Sequence, residues 1–205
     1  MPLFRRLIAV LGLWLAAVPA QASPVAYVLD PASSSVGFEV MSDMTSIRGA
    51  MPVRRAELSL DFDRVANSTI AVELAVDKAR TTLPFAMGAM RDASVLDVAR
   101  HPSILFRSSR ITAQGDAARV DGDLTIRGVT RPVTLKAMIF RQQGIPAGDR
   151  SRLTVQLTGE ILRSDFGASG FAHLAGDLVK IDIRARIQAP GLKCSDSSRL
   201  IWQAY

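Results

Sequence analysis

The chain has 205 residues, a formal net charge of +6 and a hydrophobic content of 48%. The basic residues are spread along the chain without a Lys/Arg block or interleaved aromatic residues, which argues against a nucleic-acid-binding protein. The single cysteine, Cys194, excludes an internal disulfide framework, so a hydrophobic core must stabilise the fold.

Residues 1–22 have the pattern of a cleaved signal peptide. Arg5 and Arg6 precede an uncharged apolar run from Leu7 to Val18, and residues 20–22 (Ala-Gln-Ala) provide a small-x-small cleavage site. The apolar run is too short to span a bilayer comfortably. We therefore expect an exported chain of 183 residues, with a net charge of +4 after loss of the two arginines, in a bacterial periplasm. That length suits a single domain, here residues 23–189.

The exported part is dominated by segments in which apolar and polar residues alternate, a period of two that predicts β-strands. In chain order, the predicted strands cover residues 27–29, 36–41, 56–62, 70–76, 104–107, 120–126, 133–139, 153–161 and 179–187. Residues 81–101 lack this period and contain helix-forming residues, which predicts one or two short helices. Residues 190–205 are predicted to form a poorly ordered tail, in which Cys194 is either incidental, which we favour, or available for intermolecular pairing.

Many short strands separated by polar turns are typical of an all-β sandwich or barrel. About eight strands closed into a barrel leave room either for packed side chains or for one small ligand. Small residues at predicted inward positions leave volume for a cavity, or fit a taper or a bulge. These positions are Ala56, Gly122, Ala137, Gly159 and Ala185.

The stretch from Val120 to Ile139 shows the alternation most clearly and predicts an antiparallel hairpin. We assign the turn to residues 128–132. Pro132 lacks a backbone N–H, so we expect it at the start of the second strand or on an edge.

Few residues have the spacing that catalysis requires. His101 and His173 are the only histidines, and neither has a second ligand at metal-binding spacing. The sequence contains no nucleophile elbow, zinc-protease motif or phosphate-binding loop. No catalytic residue, metal ion or cofactor is predicted.

Two other groups of residues have both a structural and a functional interpretation. Arg163 and Asp165, two apart on an extended chain, would point the same way. They would either close a loop, which we favour, or frame a mouth in which Arg163 contacts a ligand headgroup. Phe85, Met87 and Met90 suit an irregular apolar ligand or plug one end of the core.

Five segments, in order, resemble the YceI-like family of periplasmic polyisoprenoid-binding proteins. The similarity extends over about residues 27–189. The segments are Tyr27-x-Leu29-Asp30-Pro31 with Ser35-Val36-x-Phe38, then Ile47-Arg48-Gly49 with Leu58-x-Leu60-Asp61, residues 90–106, Gly122 to Val133, and Arg163 to Gly167. The chain departs from the usual family pattern at Ser33, Met51 and Ala89-Met90, where the family often has His, Phe and His-Leu.

The resemblance implies an antiparallel, lipocalin-like β-barrel of about eight strands that holds a long isoprenoid lipid in its apolar core. We therefore expect a non-catalytic periplasmic binding or carrier protein, with at most transient membrane contact; a homodimer is left open. The residues predicted to line the cavity are Phe38, Leu60, Phe62, Phe85, Met87, Met90, Phe106, Leu124, Ile126 and Phe166, with Arg163 as a candidate for headgroup contact. Two alternatives are an enzyme acting on a lipid or small metabolite in the same barrel, and a structural or stress-response protein without a ligand.

Overall fold

The computed structural model describes residues 23–42, 45–141, 146 and 148–191. The predicted signal peptide and Cys194 lie outside these residues. The described residues form eleven strands and one α-helix. They are β1 (Val25–Leu29), β2 (Ser35–Met41), β3 (Ser46–Met51), β4 (Val53–Leu60), β5 (Thr69–Ala75), β6 (Arg80–Thr81), α1 (Pro84–Arg91), β7 (Ser103–Gln114), β8 (Ala117–Ile126), β9 (Val129–Phe140), β10 (Arg152–Leu162) and β11 (Leu178–Gln188).

Eight of the strands close into an antiparallel barrel in the order β1-β4-β5-β7-β8-β9-β10-β11, and β11 pairs back onto β1. Each of these strands has a neighbour on both sides, and their alternating residues place one apolar face inside. The predicted all-β barrel of about eight strands with a short helix is confirmed.

The three remaining strands, β2, β3 and β6, extend the barrel wall, because the chain bends between β1 and β2 and between β3 and β4. β1 and β2 pair with successive parts of the same edge of β11 and are separated by the 3₁₀ turn Pro31–Ser33. Across Pro52, β4 pairs with β1 while β3 pairs with β2. The short strand β6 continues this extension beside β3.

The two ends of the barrel differ in what covers them. At the end that we call the loop end lie the connections β4–β5, β7–β8 and β9–β10. At the opposite end, the helix end, lie α1, residues 92–101 and the β10–β11 connection, residues 163–177. No helix in the described part of the chain has the length and apolar character needed to cross a bilayer.

The predicted hairpin is confirmed as β8 and β9, but the assignment of its turn to residues 128–132 is wrong. Arg127 and Gly128 alone form the turn, with φ of +53° and +75°, and Ile126 pairs directly with Val129. Positive φ at both central residues is the type I′ geometry that matches the twist of hairpin strands. Pro132 is therefore the fourth residue of β9 and not its first.

Strand β7 is three times as long as the predicted segment 104–107, since it extends over twelve residues. A bulge between Ser108 and Arg110 shifts the register. Ile104 and Phe106 face inward before the bulge and Ile111 does so after it, so the period of two is interrupted.

Gly122 is required by a close approach between neighbouring strands. A Cβ atom on Gly122 would lie 2.4 Å from the Arg107 carbonyl oxygen and 2.7 Å from the Phe106 ring. We expect Gly122→Ala to lower the free energy of unfolding by about 1–3 kcal/mol, as overpacked core substitutions do. Urea denaturation measures this change.

Gly88 provides the matched control for this substitution. A Cβ atom on Gly88, in α1, would meet no atom within 4 Å. Gly88→Ala should leave stability unchanged or raise it by about 0.5–1 kcal/mol, because alanine favours helix. Equal stabilities of the two variants would contradict the packing argument.

Candidate functional site

The barrel encloses an apolar cavity of about 930 Å³ that receives side chains from all eight barrel strands. The inward residues of β11 illustrate its character, because every second residue contributes to the lining. These residues are Val179, Ile181, Ile183, Ala185 and Ile187. The apolar face of this strand is therefore the inner one.

Eight of the ten predicted apolar residues line this cavity: Phe38, Leu60, Phe62, Met90, Phe106, Leu124, Ile126 and Phe166. They come from strands on opposite sides of the barrel, from the β4–β5 connection, from α1 and from the 3₁₀ turn that follows β10. Their contact with a ligand stays a prediction.

The structure places Phe85 and Met87 outside the cavity lining, contrary to the prediction. The side chains of Ala86 and Met90, one turn apart, lie on the same face of α1. Ala86 is buried and Met90 packs against the core, whereas Phe85 is 65% exposed. A helix of eight residues can bury only one face, and the sequence alone did not identify which one.

The prediction also left out many residues of the same inner faces. Examples are Leu58 and Val72 on neighbouring strands, and Ile111 beyond the bulge of β7. The alternation could have identified the first two; Ile111 required knowledge of the bulge.

Of the small residues predicted to face inward, only the alanines enlarge the cavity. Ala56, Ala137 and Ala185 line it. Gly122 and Gly159 do not, because the Phe106 ring and the Leu135 side chain fill the space beside them. Glycine in these strands thus serves packing, while alanine leaves open volume.

Polar side chains in the cavity lining are confined to the ends of the barrel. Within the described part of the chain they are Ser68, Asp116, Arg141 and Arg150 at the loop end, and Arg163 at the helix end. The middle of the cavity is lined by apolar side chains and backbone.

Arg150 joins two connections at the loop end. Its guanidinium donates to both carboxylate oxygens of Asp63, at 2.8 and 2.9 Å, and lies 5.7 Å from the centre of the Phe62 ring. The Arg150 carbonyl accepts a hydrogen bond from the Tyr27 hydroxyl, whose ring packs edge-on against Phe62. The Arg150 guanidinium lowers the pKa of Asp63, and burial raises the pKa of Tyr27. These contacts hold the rim of the cavity together.

Asp61 organises the β4–β5 connection from a buried position, with only 4% of its surface exposed. Its carboxylate accepts hydrogen bonds from the backbone N–H groups of Asp63 and Arg64 and from the Asn67 side chain. The Arg64 N–H is the main cause of the lowered pKa of Asp61.

The lowered pKa of Asp61 predicts an acid-dependent loss of stability. The unfolded chain binds a proton near the ordinary Asp pKa of about 3.9, whereas the folded chain binds it only at lower pH. The stabilisation is therefore present above that value and is lost as pH falls through the folded pKa. Asp61→Asn cannot titrate, so its urea midpoint should approach that of the wild type between pH 7 and pH 3.

Asp116→Asn is the control for this pH series, because no hydrogen bond to the Asp116 carboxylate is found among the described residues. Because it removes no hydrogen bond, it should have the wild-type urea midpoint at pH 7. A constant difference between Asp61→Asn and the wild type across the series would rule out the linkage.

Arg163 lies at the helix end, where residues 163–166 form a 3₁₀ turn and not the extended chain that we predicted. Its guanidinium does not pair with Asp165. It donates at 2.6–3.0 Å to the backbone carbonyl oxygens of Ala168, Gly170, Ala175 and Gly176. This agrees with the loop-closing interpretation, and a headgroup contact by Arg163 stays a prediction.

The histidines do not belong to a polar cluster in the cavity, and neither of them lines it. His101 packs against the β8–β9 turn, 3.2 Å from where a Cβ atom on Gly128 would lie. Within the described ranges, no group of three or more His, Cys, Asp or Glu residues is arranged to hold a metal ion.

Comparison with known proteins gives both sequence and structural relatives. A UPF0312 protein of Pseudomonas aeruginosa is 35% identical over 83 residues, which are 38% of this chain and 44% of that protein. The match thus spans less than half the length of this curated relative. The crystal structure of Burkholderia cenocepacia BcnA superposes with a TM-score of 0.69 at 20% identity, covering 78% of this chain and 99% of that one.

A second solved structure is described as a polyisoprenoid binding domain from Saccharophagus degradans implicated in plant cell wall breakdown. It matches with a TM-score of 0.58 at 16% identity and covers 81% of this chain and 99% of that domain. At these identities the two structures establish the fold. The family assignment comes from the sequence, because the YceI-like domain model matches residues 27–187. The chain therefore belongs to the family of YceI-like domains.

Proposed function

We propose that this protein binds a long isoprenoid lipid, such as a polyprenol or a quinone with an isoprenoid tail, inside the barrel, and carries it in the periplasm without chemical conversion. The observation that supports this proposal most strongly is the distribution of polarity along the cavity. Among the described residues, apolar side chains line the middle, and polar side chains lie towards the ends. That arrangement suits a ligand with a long apolar chain and one polar terminus.

The size of the apolar surface makes tight binding feasible without a dense polar site. Each methylene group moved from water into an apolar cavity contributes about 0.8 kcal/mol. A chain of many isoprene units therefore gains far more than the order of 20 kcal/mol at which non-covalent affinities level off. Ordering the flexible chain offsets much of this gain.

The comparisons support the same class of ligand, since one structural neighbour is described as a polyisoprenoid binding domain. The alternative of an enzyme in the same barrel would need converging polar groups near the bound chain. The described residues that line the middle of the cavity offer aliphatic and aromatic side chains instead. Periplasmic location is part of the proposal and is supported by the signal-peptide pattern of residues 1–22.

Mass spectrometry of the lipid extract from the purified periplasmic protein tests the proposal. We expect a lipid series whose masses differ by one isoprene unit. If the protein is purified empty, it should take up polyprenols or quinones on reconstitution. Failure to retain either, both as purified and after reconstitution, would contradict the proposal, and a copurifying fatty acid would assign the cavity to another lipid class.

A further inference from the structure

The barrel wall opens between β9 and β10 at the helix end. Backbone pairing between these strands stops at Lys136 and Thr158. Beyond that pair, residues 129–135 of β9 remain paired with β8, and residues 159–162 of β10 remain paired with β11. We call the unpaired region between the two strands the split.

Pro132 helps to keep the split open. Ile126 and Val129 flank a two-residue turn, and in such hairpins this pair exchanges both backbone hydrogen bonds. The backbone groups of every second residue after Thr130, Pro132 included, therefore point away from β8 and towards β10. Proline has no N–H to donate across that space.

A second cavity, of about 290 Å³, lies in the split. Three of its lining residues, Val133, Ile161 and Phe166, also line the main cavity. A single layer of apolar side chains therefore separates the interior of the barrel from the outer surface at this place. Phe166 is the largest of the three and is only 1% exposed.

The outer border of the split carries exposed apolar side chains. Leu162 and Leu178 are register partners on β10 and β11, line the second cavity and are 42% and 41% exposed. Opposite them, Arg131 reaches across the split, and its Nε donates to the Asp165 carbonyl oxygen at 3.2 Å. A long exposed hydrogen bond of this kind can break at little cost.

We propose that the split is a lateral portal through which the isoprenoid chain enters and leaves the barrel, and that Phe166 is the side chain that closes it. The inference rests on the proposed function and adds the route of the ligand. Opening requires movement of three side chains and loss of the Arg131 contact, while every strand of the barrel keeps its present pairing. The exposed leucines offer the chain an apolar surface outside the wall.

A cross-link across the split tests the portal. In the full exported chain carrying Cys194→Ser, Thr134→Cys and Glu160→Cys would be joined by a short bismaleimide. Both positions are exposed and continue the register of Lys136 and Thr158 past the last pair. The control joins Lys136→Cys to Thr158→Cys with the same reagent, on the same two strands where they are already paired.

The measurement is the rate at which all-trans-retinol, a fluorescent isoprenoid alcohol, passes from the loaded protein to phosphatidylcholine vesicles. We expect the cross-link over the split to slow release about tenfold or more, and the control cross-link to leave it unchanged; a tenfold change corresponds to about 1.4 kcal/mol. An equal rate before and after linking residues 134 and 160 would overturn the portal and assign exchange to the loop end.

Phe166→Leu provides a second test of the closing residue. The smaller side chain should speed release from the unlinked protein and have no such effect once the split is cross-linked. Faster release in both states would overturn the role of Phe166. Failure of the unlinked protein to take up retinol, polyprenols or quinones would contradict the proposed function itself, whereas uptake with a release rate insensitive to the cross-link contradicts only the portal.

Discussion

Ala185→Trp should reduce isoprenoid affinity about 30-fold while leaving the barrel folded. Ala185 lines the cavity from β11, opposite Val155 in the register with β10. An indole there occupies volume that the ligand would otherwise fill. Displacing two or three methylene groups at about 0.8 kcal/mol each costs about 2 kcal/mol, which is roughly a 30-fold loss of affinity.

Arg184→Trp is the matched control, because it introduces the same side chain on the neighbouring, outward-facing residue of the same strand. Fluorescence titration with retinol should give wild-type affinity for Arg184→Trp and weak binding for Ala185→Trp. Thermal unfolding of both proteins checks that the barrel is intact. Wild-type affinity of a folded Ala185→Trp protein would argue against ligand binding in this cavity.

Phe166→Ala should cause one of the largest losses of stability available in this chain. The ring is almost completely buried and belongs to the core cluster at the helix end, where it packs with Leu124 and Ile126. Truncation of a buried phenylalanine typically costs about 3–5 kcal/mol, because the transfer energy is lost and a void remains. Here the void would also join the two cavities that the ring separates.

Phe85→Ala gives the reference for this substitution. The Phe85 side chain is 65% exposed, so its truncation should change the free energy of unfolding by no more than about 0.5 kcal/mol. Urea denaturation of the two alanine variants measures the contrast. Similar losses for both would show that the helix end packs differently from the arrangement described above.

The sequence was sufficient to predict an all-β fold with one apolar face because its strands are amphipathic with a period of two. In β10 and β11 the alternation continues without interruption over eleven residues each, and the inner face is the apolar one. The family resemblance added closure into a barrel, which alternation alone does not distinguish from a sandwich.

The errors have physical causes that local patterns do not reveal. The bulge in β7 changes which residues face inward, so the second half of the strand was missed. The two-residue turn at Arg127 places a non-glycine residue at positive φ, which is uncommon for arginine. Phe85 was assigned to the cavity because hydrophobicity identifies apolar residues but does not show which of them a short helix turns towards the core.

The residues that make the stretch from Gly122 to Val133 recognisable as a motif have structural roles. Gly122 leaves room for the Phe106 ring, and Gly128 permits the turn. Pro132 lies at the unpaired edge of β9, as its missing N–H predicts. Most of the motif therefore shapes the barrel wall, whereas its residues Leu124 and Ile126 line the cavity.

Arg127 has a further consequence for the helix end. A left-handed backbone costs an arginine roughly 1–2 kcal/mol more than it costs glycine. In return, the side chain donates to the carbonyl oxygens of Ala93 and Gly167, and so connects the β8–β9 turn to residues 92–101 and to the β10–β11 connection. We therefore expect the three segments to open together, so that their backbone amides should show similar protection in hydrogen exchange. The unfavourable backbone conformation of Arg127 is thus accompanied by hydrogen bonds that restrain three segments of the helix end together.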